Sequence, residues 1–332
     1  MPKLLAVLVV LAACGGGSSS SSPADYPDQL HDAVCQFYVK CGELADLETC
    51  RATNVGVRFR ISASEQAAFD AMKLTFDADS ANACTDAIAD ASCDVTSKSA
   101  RVTPAACNTV STGTQPGGAA CAVADECISH VCDVPLCNDA CCQGTCVGDT
   151  APAIAKTGDP CDAGPCEDAA YCDDSMTCVA RKNAGAACIL SDECQFGLDC
   201  DPESNTCAAL PALGAACTGA CRDAGTRCSA ATQRCVKAAL ENEPCEMTED
   251  CSRFYVCDTT KRCVAGLALG APCAKFQRCA GDGAFCEVPS GMTMGTCTLP
   301  IAIGQPCVSN NSCESLTCDP IAGVCAAEPV CI

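Results

Sequence analysis

At 332 residues with 39 cysteines, the chain has close to one cysteine in nine, the density of disulfide scaffolds and not of ordinary globular domains. Four Tyr, eight Phe and no Trp leave little for a large apolar core, above all after residue 113, and a formal net charge of -21 excludes a basic nucleic-acid footprint. The composition predicts several small units, each stapled because it buries too little surface. The acidity fits the solubility of an exported chain, with calcium or a basic partner surface as the sharper alternative.

Lys3 precedes a ten-residue apolar run, Leu4 to Ala13, too short to cross a bilayer and of the length of an export signal, read as residues 1–13. Leu11-Ala12-Ala13-Cys14 resembles the lipobox of bacterial lipoproteins. The resemblance implies a diacylglyceryl group on the Cys14 sulfur, cleavage before it, and the lipid bilayer as a partner through Cys14. An ordinary cut after Ala13 with a free thiol is the alternative. Residues 14–23 then form the anchor and a flexible tether containing five consecutive serines, with a mean reach of about 15 to 18 Å. The expected location is the bacterial cell envelope, facing the periplasm or exterior, where disulfides persist.

Residues 24–112 carry helical periodicity. Leu30, Val34, Phe37 or Tyr38, and Cys41 recur at three- and four-residue steps after Pro27-Asp28, with Gly42 placed as a C-terminal cap. Ser62 to Glu65 matches a capping box, and Phe69, Met72 and Phe76 are expected on one face of the helix that follows. A third helix is expected near Asp79-Ser80, lining up Ala81, Cys84, Ile88 and Ala91. Cys35, Cys41, Cys50, Cys84, Cys93 and Cys107 allow three bridges across this small disulfide-linked α-helical domain, in any of fifteen connectivities. Asp77-Ala78-Asp79 is no EF-hand, because it lacks the required Gly and Glu.

From Cys121 onward the chain repeats. A first, seven-cysteine module (residues 113–150) holds Cys121, Cys127, Cys132, Cys137, Cys141, Cys142 and Cys146. Six four-cysteine modules fill residues 151–325: Cys161, Cys166, Cys172 and Cys178; Cys188, Cys194, Cys200 and Cys207; Cys217, Cys221, Cys228 and Cys235; Cys245, Cys251, Cys257 and Cys263; Cys273, Cys279, Cys286 and Cys297; Cys307, Cys313, Cys318 and Cys325. Residues 326–332 are a tail. Nine residues always separate one group's fourth cysteine from the next group's first. Gly118, Gly158, Gly185, Gly214, Asn242, Gly270 and Gly304 stand three residues before each first cysteine, which predicts a left-handed turn that sets the angle between neighbours. Asp133, Asp173, Asp201, Asp258, Glu287 and Asp319 follow the third cysteine, with Ser229 in the remaining module, so a short hairpin built on an Asx or Ser turn is expected there. A row of calcium ligands is the alternative. First-to-third and second-to-fourth pairing is preferred over the two other connectivities, because it interlocks both loops.

Cys137 to Cys146, with adjacent Cys141 and Cys142, resembles the end of the Dickkopf N-terminal cysteine-rich domain; the later groups resemble its shorter half, and the spacing is also similar to EGF-like and EB-type modules. The resemblance implies a fold of small disulfide-rich repeats made of short β-hairpins and loops, and no signalling role is carried over. Setting Cys14 aside leaves an even 38 cysteines, of which the seventh in the first module and Cys331 are odd ones; a bridge between them is expected, against a free thiol or intermolecular pairing.

Catalysis needs converging groups of matched pKa. The only histidines are His31 and His130, and no zincin, nucleophile-elbow or phosphate-loop motif occurs. Structural-zinc spacing is also missing. The expected protein is therefore no enzyme, without cofactor or metal. It is read as a surface-exposed lipoprotein whose array binds an extracellular protein or glycan, mediates adhesion or acts as a spacer, with a cystine-knot-like inhibitor of a protease or channel as the alternative.

Overall fold

The computed structural model describes residues 21–52, 61–135, 142–151, 153–161, 164–267, 269–274, 279, 284–288, 292–307, 313, 317–319, 322–327 and 330. Cys14, Cys137, Cys141 and Cys331 lie outside these, and with them the lipidation site and the bridge expected at Cys331.

The N-terminal unit opens with α1 (Tyr26–Lys40), in which a proline occupies the first helical turn and Lys40 sits in the last. Gly42, at φ +72°, takes the left-handed position just past the Cys41 cap. After α2 (Leu47–Ala52) comes α3 (Ala63–Asp70), whose start is the reciprocal capping box of Ser62 and Glu65. The helix stops earlier than its pattern suggests. Met72 adopts φ +58° and stands exposed, and Phe76 belongs not to the helix but to β1 (Leu74–Phe76). The backbone reverses at Met72, where Lys73 N–H bonds back to the Ala68 carbonyl, and this ends the helical period.

Asp77 caps α4 (Ala78–Ala89) by accepting from Ser80 N–H at 2.6 Å, so this acid starts a helix. α4 packs on α1 through Ala81, Cys84 and Val110, with Tyr26, Leu30, Phe76 and Ile88 around them. Bridges Cys35–Cys50, Cys41–Cys93 and Cys84–Cys107 pin the unit. A short α5 (Lys98–Arg101) follows, and β2 (Ser111–Gly113) pairs antiparallel with β1 before the array begins.

The array is a run of small disulfide-stapled hairpins of two or three strands. All six four-cysteine modules pair first to third and second to fourth, as in Cys161–Cys172 with Cys166–Cys178 and Cys307–Cys318 with Cys313–Cys325. The first module repeats the crossing with Cys121–Cys132 and Cys127–Cys146, and Cys142 is also disulfide-bonded. Each core is largely sulfur: in the third module Cys188, Cys194 and Cys207 are buried with only Leu198 and Cys200 beside them. Each bridge closes a loop short enough to contribute about 3 kcal/mol through the unfolded chain.

The turns at the seven marked positions are all left-handed, from Asn242 at φ +65° to Gly158 at +97°. In every module that residue donates its N–H to the carbonyl of the last cysteine of its own module, at 2.7 to 2.8 Å. The turn closes a module on itself. Consecutive residues then bond to opposite modules: Arg181 N–H to Ala169 of the second and Lys182 N–H to Glu193 of the third, and likewise Ala238 to Gly225 and Ala239 to Asp250. No free linker separates these modules.

The acidic residue after the third cysteine builds the hairpin turn. Asp173 accepts from Ser175 and Thr177 N–H, Asp258 from Thr260 and Arg262 N–H, and Ser229 Oγ from Thr232 N–H in the odd module. The Ser175 hydroxyl at Asp173, the Ser204 hydroxyl at Asp201 and the Arg262 N–H at Asp258, each joined by further donors, hold these carboxyls below the usual carboxylate range. In Asp173 and Asp258 both N–H bonds converge on the same oxygen, Oδ1.

The modules also wrap onto the helical unit. Phe254 and Tyr255 of the fifth module are buried in one core with Cys35, Leu44 and Cys50, against Tyr38, Val39 and Leu47. A shared apolar core thus arises where the array's own composition supplies none, because two of its few aromatics meet those of α1.

Candidate binding groove

Residues 92–105 run from α4 across the second, third and fourth modules. Asp94 forms a β-bridge with Asp223, Val95 N–H bonds to the Arg222 carbonyl at 3.0 Å, and Gly197 N–H to the Thr96 carbonyl at 2.9 Å. Ser97 caps α5, which thereby stands opposite the second and third modules. Lys98 pairs with Asp168, and Arg101 reaches Asp199 at 3.4 Å and the Ser191 carbonyl at 3.0 Å.

Between these elements lies a groove of about 1260 Å³, lined on the helical side by Val102 and Pro104 and on the array side by Ile154, Pro165, Tyr171, Ile189 and Leu190. Ile154, Ile189 and Leu190 are 67%, 83% and 62% exposed. Three large exposed aliphatics therefore line one groove.

Their presentation is built by Glu193. Its Oε1 accepts the N–H groups of Ile189 and Leu190, each at 3.2 Å, and its Oε2 pairs with Lys182. The Lys182 ammonium holds the buried Glu193 carboxyl below its ordinary value. The peptide is therefore fixed while both side chains face solvent. Asp250 does the same with Glu246 and Met247 N–H, and Glu126 with Ala122 N–H. The signal, an acid immediately before the second cysteine at Glu126, Glu193 and Asp250, is present in the sequence, and sequence reasoning gave it no such role.

Arg181 crosses the groove wall. It stacks over Phe196 at 4.7 Å and donates to the carbonyls of Asp168 and Asp192. Burial, with the nearby Arg101 charge adding to it, lowers its pKa from the usual guanidinium value. Asp174 and Asp192 expose their carboxylates at the groove, and the Asp192 charge partly offsets the lowering at Arg181.

Of the cysteines expected to form bridges, Cys166 and Cys172 line this groove, and the two histidines lie elsewhere. His31 Nε2 lies 3.7 Å from Cys35 Sγ, and His130 Nδ1 lies 3.5 Å from Asp125 on the first module. Sulfurs do cluster at metal-like separations, as in Cys161, Cys166 and Cys178 within 4.8 Å, but they are spent in disulfides and carry no thiolate.

Compared with known families, curated proteins and solved structures, the chain shows no significant match. Its disulfides point to an oxidising, extracellular or envelope location. No helix among the described residues is long and apolar enough to cross a membrane.

Proposed function

We propose that this is a non-enzymatic, lipid-anchored protein of the cell envelope whose stapled array presents a groove to a protein partner. The carrying observation is the convergence of exposed Ile154, Ile189 and Leu190 on modules tied to α5 by main-chain and charged contacts. A rigid frame holding apolar side chains in solvent lowers the ordering cost of association. Anchoring rests on the lipobox-like Leu11 to Cys14 and the Gly/Ser tether, and kinship with Dickkopf-like modules rests on cysteine spacing alone. An inhibitor built on the first module is less favoured: β1–β2 pairing and the Lys73–Glu126 ion pair at 3.3 Å bind that module's entry to the helical unit.

Two measurements test this reading. Cys14→Ser is expected to release the protein from membranes, and the wild-type amino terminus should carry the thioether-linked lipid. A photocrosslinker at position 189 in producing cells should give a discrete protein adduct that one at exposed Ile303 does not; equal labelling from both positions refutes the groove.

A further inference from the structure

We infer that the groove between α5 and the second and third modules takes a polypeptide segment that combines aliphatic with lysine or arginine side chains. The inference deepens the proposed function and rests on it.

Charge sets the sign. Each cation of the groove is already engaged: Lys98 by Asp168, Lys182 by Glu193, Arg101 by Asp199, and Arg181 by two carbonyls and the Phe196 ring. Against these four cations the lining sets six carboxylates, Glu167, Asp168, Asp173, Asp174, Asp192 and Glu193, with Asp174 and Asp192 exposed, in a chain of net charge -21. An anionic ligand faces a net negative lining in a net negative chain, whereas a cationic one is drawn to it.

Size and lining set the class. The volume of about 1260 Å³ exceeds what a small metabolite fills. Among the described residues Tyr171 is the only aromatic lining the groove, which leaves a single flat ring for a sugar face to stack on. Ile154, Ile189 and Leu190 instead offer aliphatic contact to aliphatic side chains, and the mixed occupant buries these while its charges meet Asp174 and Asp192.

The test uses full-length, disulfide-intact protein and a fluorescein-labelled peptide alternating valine with lysine, beside the same peptide with glutamate for lysine, read by anisotropy. The lysine peptide should bind and the glutamate peptide should not. Asp174→Asn with Asp192→Asn should weaken binding about three- to tenfold, Ile189→Ser with Leu190→Ser at least as much, and Ile303→Ser not at all. Equal binding of both peptides, or no effect of the two Asn substitutions while the Ser pair still weakens binding, overturns the cationic class and leaves the groove reading standing. No binding of either peptide, or binding indifferent to the Ser pair, overturns both.

Discussion

The guanidinium carbon of Arg253 sits 4.9 Å from the centroid of the Tyr38 ring, so a fifth-module side chain closes over α1. Arg253 also pairs with the buried carboxylate of Glu43, and its neighbours continue the contact: Ser252 Oγ donates to the Glu43 carbonyl at 2.6 Å, and the Phe254 and Tyr38 rings lie 4.6 Å apart. Array and helical unit are held together here by ordinary packing and hydrogen bonds.

Phe254→Ala should therefore behave as a core truncation, although it sits in a disulfide module. With Phe254 only 3% exposed, a loss of about 3 to 5 kcal/mol is expected in guanidinium unfolding of the oxidised protein. A loss below about 1 kcal/mol would mean that the shared core contributes little.

Gly225 and Gly185 make a matched pair. Both have positive φ, +72° and +80°, but a Cβ on Gly225 would collide with the main-chain carbonyls of Cys41 and Gly42, whereas Gly185 faces open space. Gly185→Ala should cost only the left-handed strain, about 1 kcal/mol, and Gly225→Ala clearly more, because the fourth module must move off α1. Equal midpoints for the two variants would contradict the close approach.

Glu193→Ala removes a cap inside the groove. A loss of about 1 to 2 kcal/mol is expected, together with faster hydrogen exchange at the Ile189 and Leu190 amides that Glu193 accepts from. Glu193→Gln keeps an acceptor and should retain part of the protection. Unchanged exchange in the alanine variant would remove the carboxylate from the presentation of these residues.

Acid should act on the hairpins and spare the α1 interface. The Asp173 and Asp201 carboxyls are lowered first by the hydroxyls of Ser175 and Ser204, and that of Asp258 first by the Arg262 N–H. Their contribution is complete above the unfolded carboxylate value of about 4 and fades as pH falls through the lower folded values. Glu43 runs the other way: burial raises its carboxyl, with Arg253 pulling it back, so its contribution is present in acid and is lost as pH rises through the raised value. As pH falls below about 4, the Ser175 and Glu203 amides should lose protection in NMR exchange while the Tyr38–Phe254 contact persists. Simultaneous loss of both would refute the opposite signs.

Much was legible in the sequence because it is local. Cysteines 11 to 19 residues apart within a module, a glycine or asparagine three residues before the first and an acid after the third specify crossed bridges, a left-handed turn and a hairpin. Each needs only neighbouring residues and backbone sterics. Helix α3 exposes the limit: Phe69, Met72 and Phe76 keep helical spacing, yet the reversal at Met72 hands Phe76 to a strand whose partner, Ser111, lies in another segment.

The amino-acid order by itself determined that sulfur crosslinks stabilise a repeated small unit, because bridge spacing and turn preference act within each module. Only the tertiary structure decided where the modules rest. Glu43 and Arg253 meet across 210 positions and Lys98 and Asp168 across 70, and no period in the chain encodes such meetings. The groove exists because residues 92–105 lie across modules that follow them in the chain, and surface complementarity, which is invisible to spacing, brought them together.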